Sequence, residues 1–403
     1  MFKRLRYLII MGVLAKTLVD TTNQIYNPFI GIIGAGIGVS TVVMGRLISL
    51  RSLMGIAAPF LGSLADRLGY RAVMRICLAL AGLGMILGAL SGNLYIFGIS
   101  MIIGGIGSVG FTPNLHAYLS TRLPYEKRAM GLGIIEYSWA LAGIAGLFIS
   151  GLLIDAFSWK TPFFFLGGGL IFMALFYGTL PSGKSGNKDN SKAAVKVPGE
   201  TIAVRVKSFF DLGVNARSAW ANISVSGLAM FAMMNIIIIH GGWLESEYGI
   251  GPKVLGIISL LFGLFDLTAS VSVSLFVDRI GKRRSVIFGT LIMIFGFILF
   301  PFMNRGVVLA VIGIIIPRIG FEFAIVSNFS LLSEQVPEKR GQILGLGATF
   351  AYIGTSLAGL TGPVAYMKFG VWGLAPISLA AAVAALLLLI FVIREQSGFR
   401  LKV

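Results

Sequence analysis

The chain has 403 residues, 56% of them hydrophobic and 12% charged, with a mean hydropathy of +0.90. An ordinary soluble domain carries about 25% charged residues, so a soluble enzyme, a disordered chain and a disulfide-stapled module are excluded. A net charge of +17 in a soluble protein would point to nucleic acid, but here the charges fall between apolar runs, as in a membrane chain.

Lys3, Arg4 and Arg6 precede a long apolar run with no small-residue cleavage site, which predicts a first span rather than a signal peptide. A helix needs ~20 apolar residues to cross a hydrocarbon core of about 30 Å. Runs of that size fall near 7–30, 40–64, 72–91, 94–117, 130–154, 161–180, 219–243, 253–277, 285–303, 307–331, 341–366 and 371–393. The expected fold is therefore an all-α membrane protein of twelve transmembrane helices. Twenty-five of the 33 lysines and arginines lie on the side of the N-terminus, and only Lys160, Lys253, Arg305 and Lys368 lie in the opposite loops. Both termini are then expected in the cytoplasm.

Residues 181–217 break the pattern. A Ser/Gly/Asn/Lys stretch from Pro181 reads as a flexible linker, and Val195 to Leu212 mixes apolar and basic residues as an interfacial helix does. The expected organisation is a six-helix bundle over 1–180, the cytoplasmic linker over 181–217 and a second six-helix bundle over 218–403. The two bundles repeat. Asp66-Arg67-Leu-Gly69-Tyr70-Arg71 recurs as Asp278-Arg279-Ile-Gly281-Lys-Arg283, 212 residues on, and Pro124-Tyr-Glu126-Lys-Arg128 recurs as Pro337-Glu338-Lys-Arg340. Two loop motifs repeating at one spacing indicate duplication of a six-helix unit.

With Gly62-Ser-Leu-Ala-Asp66-Arg67-Leu-Gly69-Tyr70-Arg71 between the second and third spans, the chain resembles the major facilitator superfamily over essentially its whole length. The resemblance implies two pseudo-symmetric six-helix bundles, a central cavity and alternating access. It also implies that Gly62, Asp66, Arg67, Gly69 and Arg71, with Asp278 and Arg279 in the second copy, form a latch holding the outward-open form. The glycines are expected to allow close backbone approach. The match departs at Tyr70, where an arginine is usual, and at Ser274, which replaces the first glycine of the second copy.

Parts of the chain also resemble the drug–proton antiporters and related bacterial efflux permeases. Asp20-Thr-Thr-Asn23-Gln-Ile-Tyr-Asn27-Pro28 resembles their first-span motif, and Gly263-Leu-Phe-Asp266-Leu and Gly320-Phe-Glu322-Phe resemble their acidic patterns in spans eight and ten. The fifth-span antiporter motif is altered: Leu147 stands where proline is expected. In the fourth span Met101 stands where arginine is expected.

Ionisable groups inside spans cost about 2.5–3.5 kcal/mol each, so they need partners or a wet cavity. Asp266 is twelve residues from Asp278, roughly 18 Å from the cytoplasmic end, and Glu322 lies at similar depth. Burial favours the protonated form of a carboxyl, so these two are expected to include the proton-coupling site, with Asp20 and Glu136 as further candidates. Lys16, four residues from Asp20, is an alternative that would neutralise it. Arg318, four residues from Glu322, would likewise hold that carboxylate as a structural pair. Asn23, Asn27, Arg51, Tyr137, His240 and Arg318 are the candidates to line a substrate cavity, with Arg51 either receiving an anion or pairing with Asp20. His240 lies near the outer end of its span, where packed or interfacial histidines are common.

Gly105-Ile-Gly107-Ser-Val-Gly110 fits a dinucleotide motif but lies inside a span, so it reads as helix packing. Two distant histidines and the single Cys77 give no metal cluster or nucleophile–base arrangement. The expected protein is a transporter and not an enzyme, without cofactor, metal or nucleic acid. It is expected to work as a monomer in a bacterial inner membrane, moving a small molecule against protons. Proton-coupled efflux of amphipathic organic molecules is the first expectation, and a dedicated carrier of an organic anion, nutrient or lipid is the second.

Overall fold

A computed structural model describes residues 2–123, 125–181 and 210–395, except the side chains of 2–5, 59, 63, 66, 125–130, 214, 274, 276, 278 and 337. The expected interfacial helix of 195–212 thus lies almost wholly outside the described residues. So do the side chains of Asp66 and Asp278.

The described residues are helical throughout their regular structure. The first set comprises α1 (Phe2–Gln24), α2 (Ile30–Ile37), α3 (Thr41–Leu53), α4 (Ala58–Leu68), α5 (Tyr70–Leu90), α6 (Leu94–Ser120), α7 (Tyr125–Glu136), α8 (Ser138–Leu141), α9 (Phe148–Ala156) and α10 (Thr161–Phe176). The second comprises α11 (Ala216–Tyr248), α12 (Pro252–Ile280), α13 (Lys282–Leu299), α14 (Val307–Gln335), α15 (Arg340–Phe369) and α16 (Val371–Phe391). Among the described residues ten spans are long and apolar enough to cross a membrane, or eleven with α2 and α3, which are bent by 103° against each other. The expected first span, α1, falls outside that count because Lys16 and Asp20 interrupt it. Its 23 residues still measure about 35 Å. The bend follows Gly38, whose φ of 77° closes α2.

The duplication is visible in backbone angles. Gly69 (φ 86°, ψ 142°) separates α4 from α5, and Gly281 (φ 96°, ψ 141°) separates α12 from α13. Both sit where a Cβ is strained. Two residues later, Arg71 donates to the carbonyls of Gly178 and Leu180, and its counterpart Arg283 donates to those of Leu389 and Ile390. Each arginine satisfies orphan carbonyls at the end of its own set.

Helices pack mostly within their set: α5 against α6 and α10, and α11 against α15 and α16. The sets meet along two seams, α3 on α15 and α8–α9 on α12, and where α2 covers α11. Glycines make the seams. A Cβ on Gly45 would stand 2.5 Å from the Gly359 carbonyl oxygen, and one on Gly359 would stand 2.7 Å from that of Gly45. A Cβ on Gly151 would meet the Gly256 Cα at 2.8 Å, and one on Gly143 the Gly263 Cα at 3.1 Å. Such backbone proximity is how helices associate in lipid, where no hydrophobic effect drives them together. At the opposite end from α2, α4 packs on α5 and α6 of its own set. Neither Gly62 nor Gly69 brings another backbone close, contrary to expectation, because a Cβ at either would find nothing within 4 Å among the described residues.

Alanine at Gly69 or Gly281 is expected to cost about 1–2 kcal/mol through the positive φ, whereas Gly62→Ala is expected to be neutral or slightly stabilising, since alanine favours the helix. Thermal unfolding of the purified variants checks this order.

Candidate functional site

The two seams leave a crevice between the sets, closed at the α2 end. Gln24, Asn27, Trp139 and Leu147 line it from the first set, and His240, Phe262, Asp266, Arg318 and Glu322 from the second. Its free volume is about 30 Å³, room for about two waters. Of the expected cavity residues, Asn27, His240 and Arg318 are in this wall. Asn23 and Arg51 are not in it, and Trp139 takes the place expected for Tyr137, which sits at the junction of α7 and α8.

Arg318 and Asp266 form a two-pronged pair: Nε donates to Oδ1 at 2.7 Å and a terminal nitrogen to Oδ2 at 2.6 Å. This corrects the expectation that Arg318 pairs with Glu322. The residue four along the same helix lies beside the arginine but cannot meet its planar fork, whereas Asp266 on the facing α12 meets both donors at once. Asp266 is 2% exposed and Arg318 also lies over the Phe262 ring, 5.0 Å from its centroid. Glu322, 9% exposed, accepts a hydrogen bond from Ser270 Oγ at 2.8 Å. It stands in no ion pair within 4.0 Å among the described residues.

The first set holds a second charged cluster. Lys16 Nζ reaches Asp20 Oδ2 at 3.0 Å, Ser138 Oγ at 3.0 Å and Glu136 Oε2 at 3.3 Å, and Ser138 donates to Asp20 at 2.6 Å. Lys16 thus pairs with Asp20, four residues along the same helix. Glu136 also faces His116 Nε2 at 2.8 Å and is 55% exposed through the open end. The cluster therefore runs from a wet carboxylate to a dry one.

Arg51 does not pair with Asp20. It donates to Asn23 Oδ1 at 2.8 Å and Ser108 Oγ at 3.1 Å and lies 5.4 Å from the centre of the Tyr26 ring. Met101, which stands where an arginine was expected, is buried apolar packing. Beside Leu147, where a proline was expected, residues Ala142–Leu147 form a π turn against α12. Such turns cluster at functional sites. Sequence reasoning missed the serines Ser108, Ser138 and Ser270, because a serine inside a span carries no signal until its partner on another helix is known. Of the latch residues, Arg67 and Arg279 are exposed, and Arg71 is bound within its own set. Among the described residues no group of histidine, cysteine and carboxylate side chains is placed to hold a metal.

Removing one member of a buried ion pair costs about 3–5 kcal/mol, because the other is left uncompensated. Asp266→Asn and Arg318→Gln are each expected to destabilise by that amount, and the double variant by clearly less than their sum. A thermal double-mutant cycle on purified protein measures the difference.

Comparison with known proteins agrees with this architecture. The sequence pattern of the Major Facilitator Superfamily matches residues 12–242 and 223–401. An MFS-type transporter of Bacillus subtilis (strain 168), YwfA, is 21% identical over 394 residues, 97% of this chain and 92% of that one. The multidrug resistance protein MdtG of Yersinia enterocolitica is 33% identical over 162 residues, 37% of this chain and 38% of that one. Among solved structures, a D-xylose–proton symporter superposes with a TM-score of 0.75 at 17% identity, covering 97% of this chain and 98% of that one. The inward-open xylose transporter XylE of E. coli gives 0.74 at 16% identity, with 98% of each chain covered. The chain is a multi-pass membrane transporter, not an enzyme, and belongs to the major facilitator superfamily.

Proposed function

We propose that this transporter exports small amphipathic organic molecules in exchange for protons, and that Glu322 is its coupling carboxyl. The observation that carries the proposal is the division of labour in the crevice. Asp266 is committed to the Arg318 fork, while Glu322 has one neutral hydroxyl, that of Ser270, as its hydrogen-bond partner. A buried carboxyl so held can lose its proton to an aqueous path and regain it without breaking an ion pair. The Met233, Met234, Trp139 and Phe262 side chains on the wall suit cargo of varied shape. The stretch similar to MdtG supports efflux, since that relative is a multidrug resistance protein.

In this reading α1 and the α3–α4 run complete twelve spans, 1–180 and 218–403 are the two rocking bundles, and both termini face the cytoplasm. The open α4 end is then the cytoplasmic mouth, and the state is inward-facing. The protein works as a monomer in a bacterial cytoplasmic membrane, in keeping with its Bacillus and Yersinia relatives.

A second reading, a carrier of organic anions, draws on one feature: Arg51 is buried, with amide and hydroxyl partners and no carboxylate within 4.0 Å among the described residues. A guanidinium so placed suits a carboxylate or phosphate.

Inverted vesicles with an inside-acid gradient separate the two. Amphipathic cations are expected to dissipate the gradient with the wild-type protein and not with Glu322→Gln. Dissipation by the glutamine variant at the wild-type rate would remove Glu322 from the coupling role. Flux of organic anions alone, lost in Arg51→Gln, would establish the second reading.

A further inference from the structure

We propose that His240 reads the cargo: its Nε2 accepts a hydrogen bond from an N–H or O–H group of the molecule in the crevice. The proposal rests on the export reading above and adds the chemistry that the site demands.

His240 lies on α11, 3% exposed, with its ring packed 5.5 Å from the Phe262 centroid. Nδ1 stands 2.5 Å from the carbonyl oxygen of Ile237, one turn back. A carbonyl only accepts, so this contact assigns the hydrogen to Nδ1 and leaves Nε2 as a lone pair. That lone pair is buried and has no hydrogen-bond partner among the described residues. A second proton on the ring would bring two cations to one phenyl ring, because the Arg318 guanidinium also lies over Phe262. The ring is therefore kept as an acceptor.

Several of the other polar groups of the wall have partners in the protein. Arg318 and Asp266 hold each other, Glu322 has Ser270, Ser259 donates to the Leu255 carbonyl, and Gln24 donates to that of Trp139. A crevice wall that holds a buried, unpaired acceptor discriminates by what that acceptor lacks. A ligand that brings a donor completes the site, whereas one without a donor of its own leaves the lone pair dry. Shape and apolar contact then set breadth, and His240 sets a requirement that cargo of any shape must meet.

The test uses two cationic dyes that differ in donors: rhodamine 6G has N–H groups, and tetramethylrhodamine ethyl ester has fully alkylated nitrogens. Binding to the purified full chain is read by fluorescence anisotropy. The wild type is expected to bind rhodamine 6G about tenfold more tightly, the scale of one hydrogen bond that leaves no buried group unpaired. His240→Leu is expected to bring rhodamine 6G down to the level of the ester, while His240→Gln, whose amide oxygen still accepts, retains part of the preference. His240→Phe, which keeps a ring against Phe262, replaces the leucine variant if that one does not fold. A preference that survives in the leucine or phenylalanine variant, or that is absent from the wild type, overturns the assignment of His240. Binding of neither dye by the wild type overturns the amphipathic cargo itself, and the role of His240 with it.

Discussion

The fork between Arg318 and Asp266 decides what every other charged group in the crevice can do. A lone guanidinium in the middle of a membrane protein would draw in the nearest carboxylate. By sequence distance that is Glu322, four residues along the same helix. Asp266 on the facing α12 wins because it meets two donors of the planar head at once, at 2.6 and 2.7 Å. Once the arginine is taken, Glu322 keeps a neutral hydroxyl as its one partner among the described residues, and the site holds one carboxyl beyond what its cation balances. The fork also ties α12 to α14 within the second set.

The proposed rocking of the two sets would act on the seams. Where α3 crosses α15 and α9 crosses α12, the contact is backbone on backbone at Gly45–Gly359, Gly143–Gly263 and Gly151–Gly256. Surfaces of this kind have few side chains to disengage when one helix tilts across another; across the α3–α15 seam the Ser49 and Ser356 hydroxyls do meet, at 2.7 Å. The π turn at Ala142–Leu147 lies in the same seam. It offers a bend of the kind that a proline provides, without proline's fixed φ. Beside the loops at Gly69 and Gly281, Arg71 and Arg283 fasten each set to its own last helix.

Much of the fold was legible in the sequence because it is written locally. Apolar runs of about twenty residues, the lysine and arginine tally and a motif recurring 212 residues later need no knowledge of packing. The matching backbone angles at Gly69 and Gly281 are the structural counterpart of that recurrence. The count of spans was less legible at α1, whose Lys16 and Asp20 dilute its apolarity. The site was legible as a set of residues and illegible as a set of pairs. Asp266, Glu322, Arg318 and His240 all reach the crevice, but which charge holds which depends on helix rotation and on serines from other helices. Lys16 and Asp20, four apart, did pair as spacing predicts; Arg318 and Glu322, also four apart, did not. The difference is a better partner across the interface in the second case.

The claim at the centre of this account is that Glu322 gives up a proton when cargo binds. Proton release can be followed directly by adding cargo to the purified protein in weakly buffered solution containing a pH indicator. The account predicts acidification by the wild-type protein on addition of an amphipathic cation, and none by Glu322→Gln although that variant still binds the compound. Equal acidification by both proteins would contradict it.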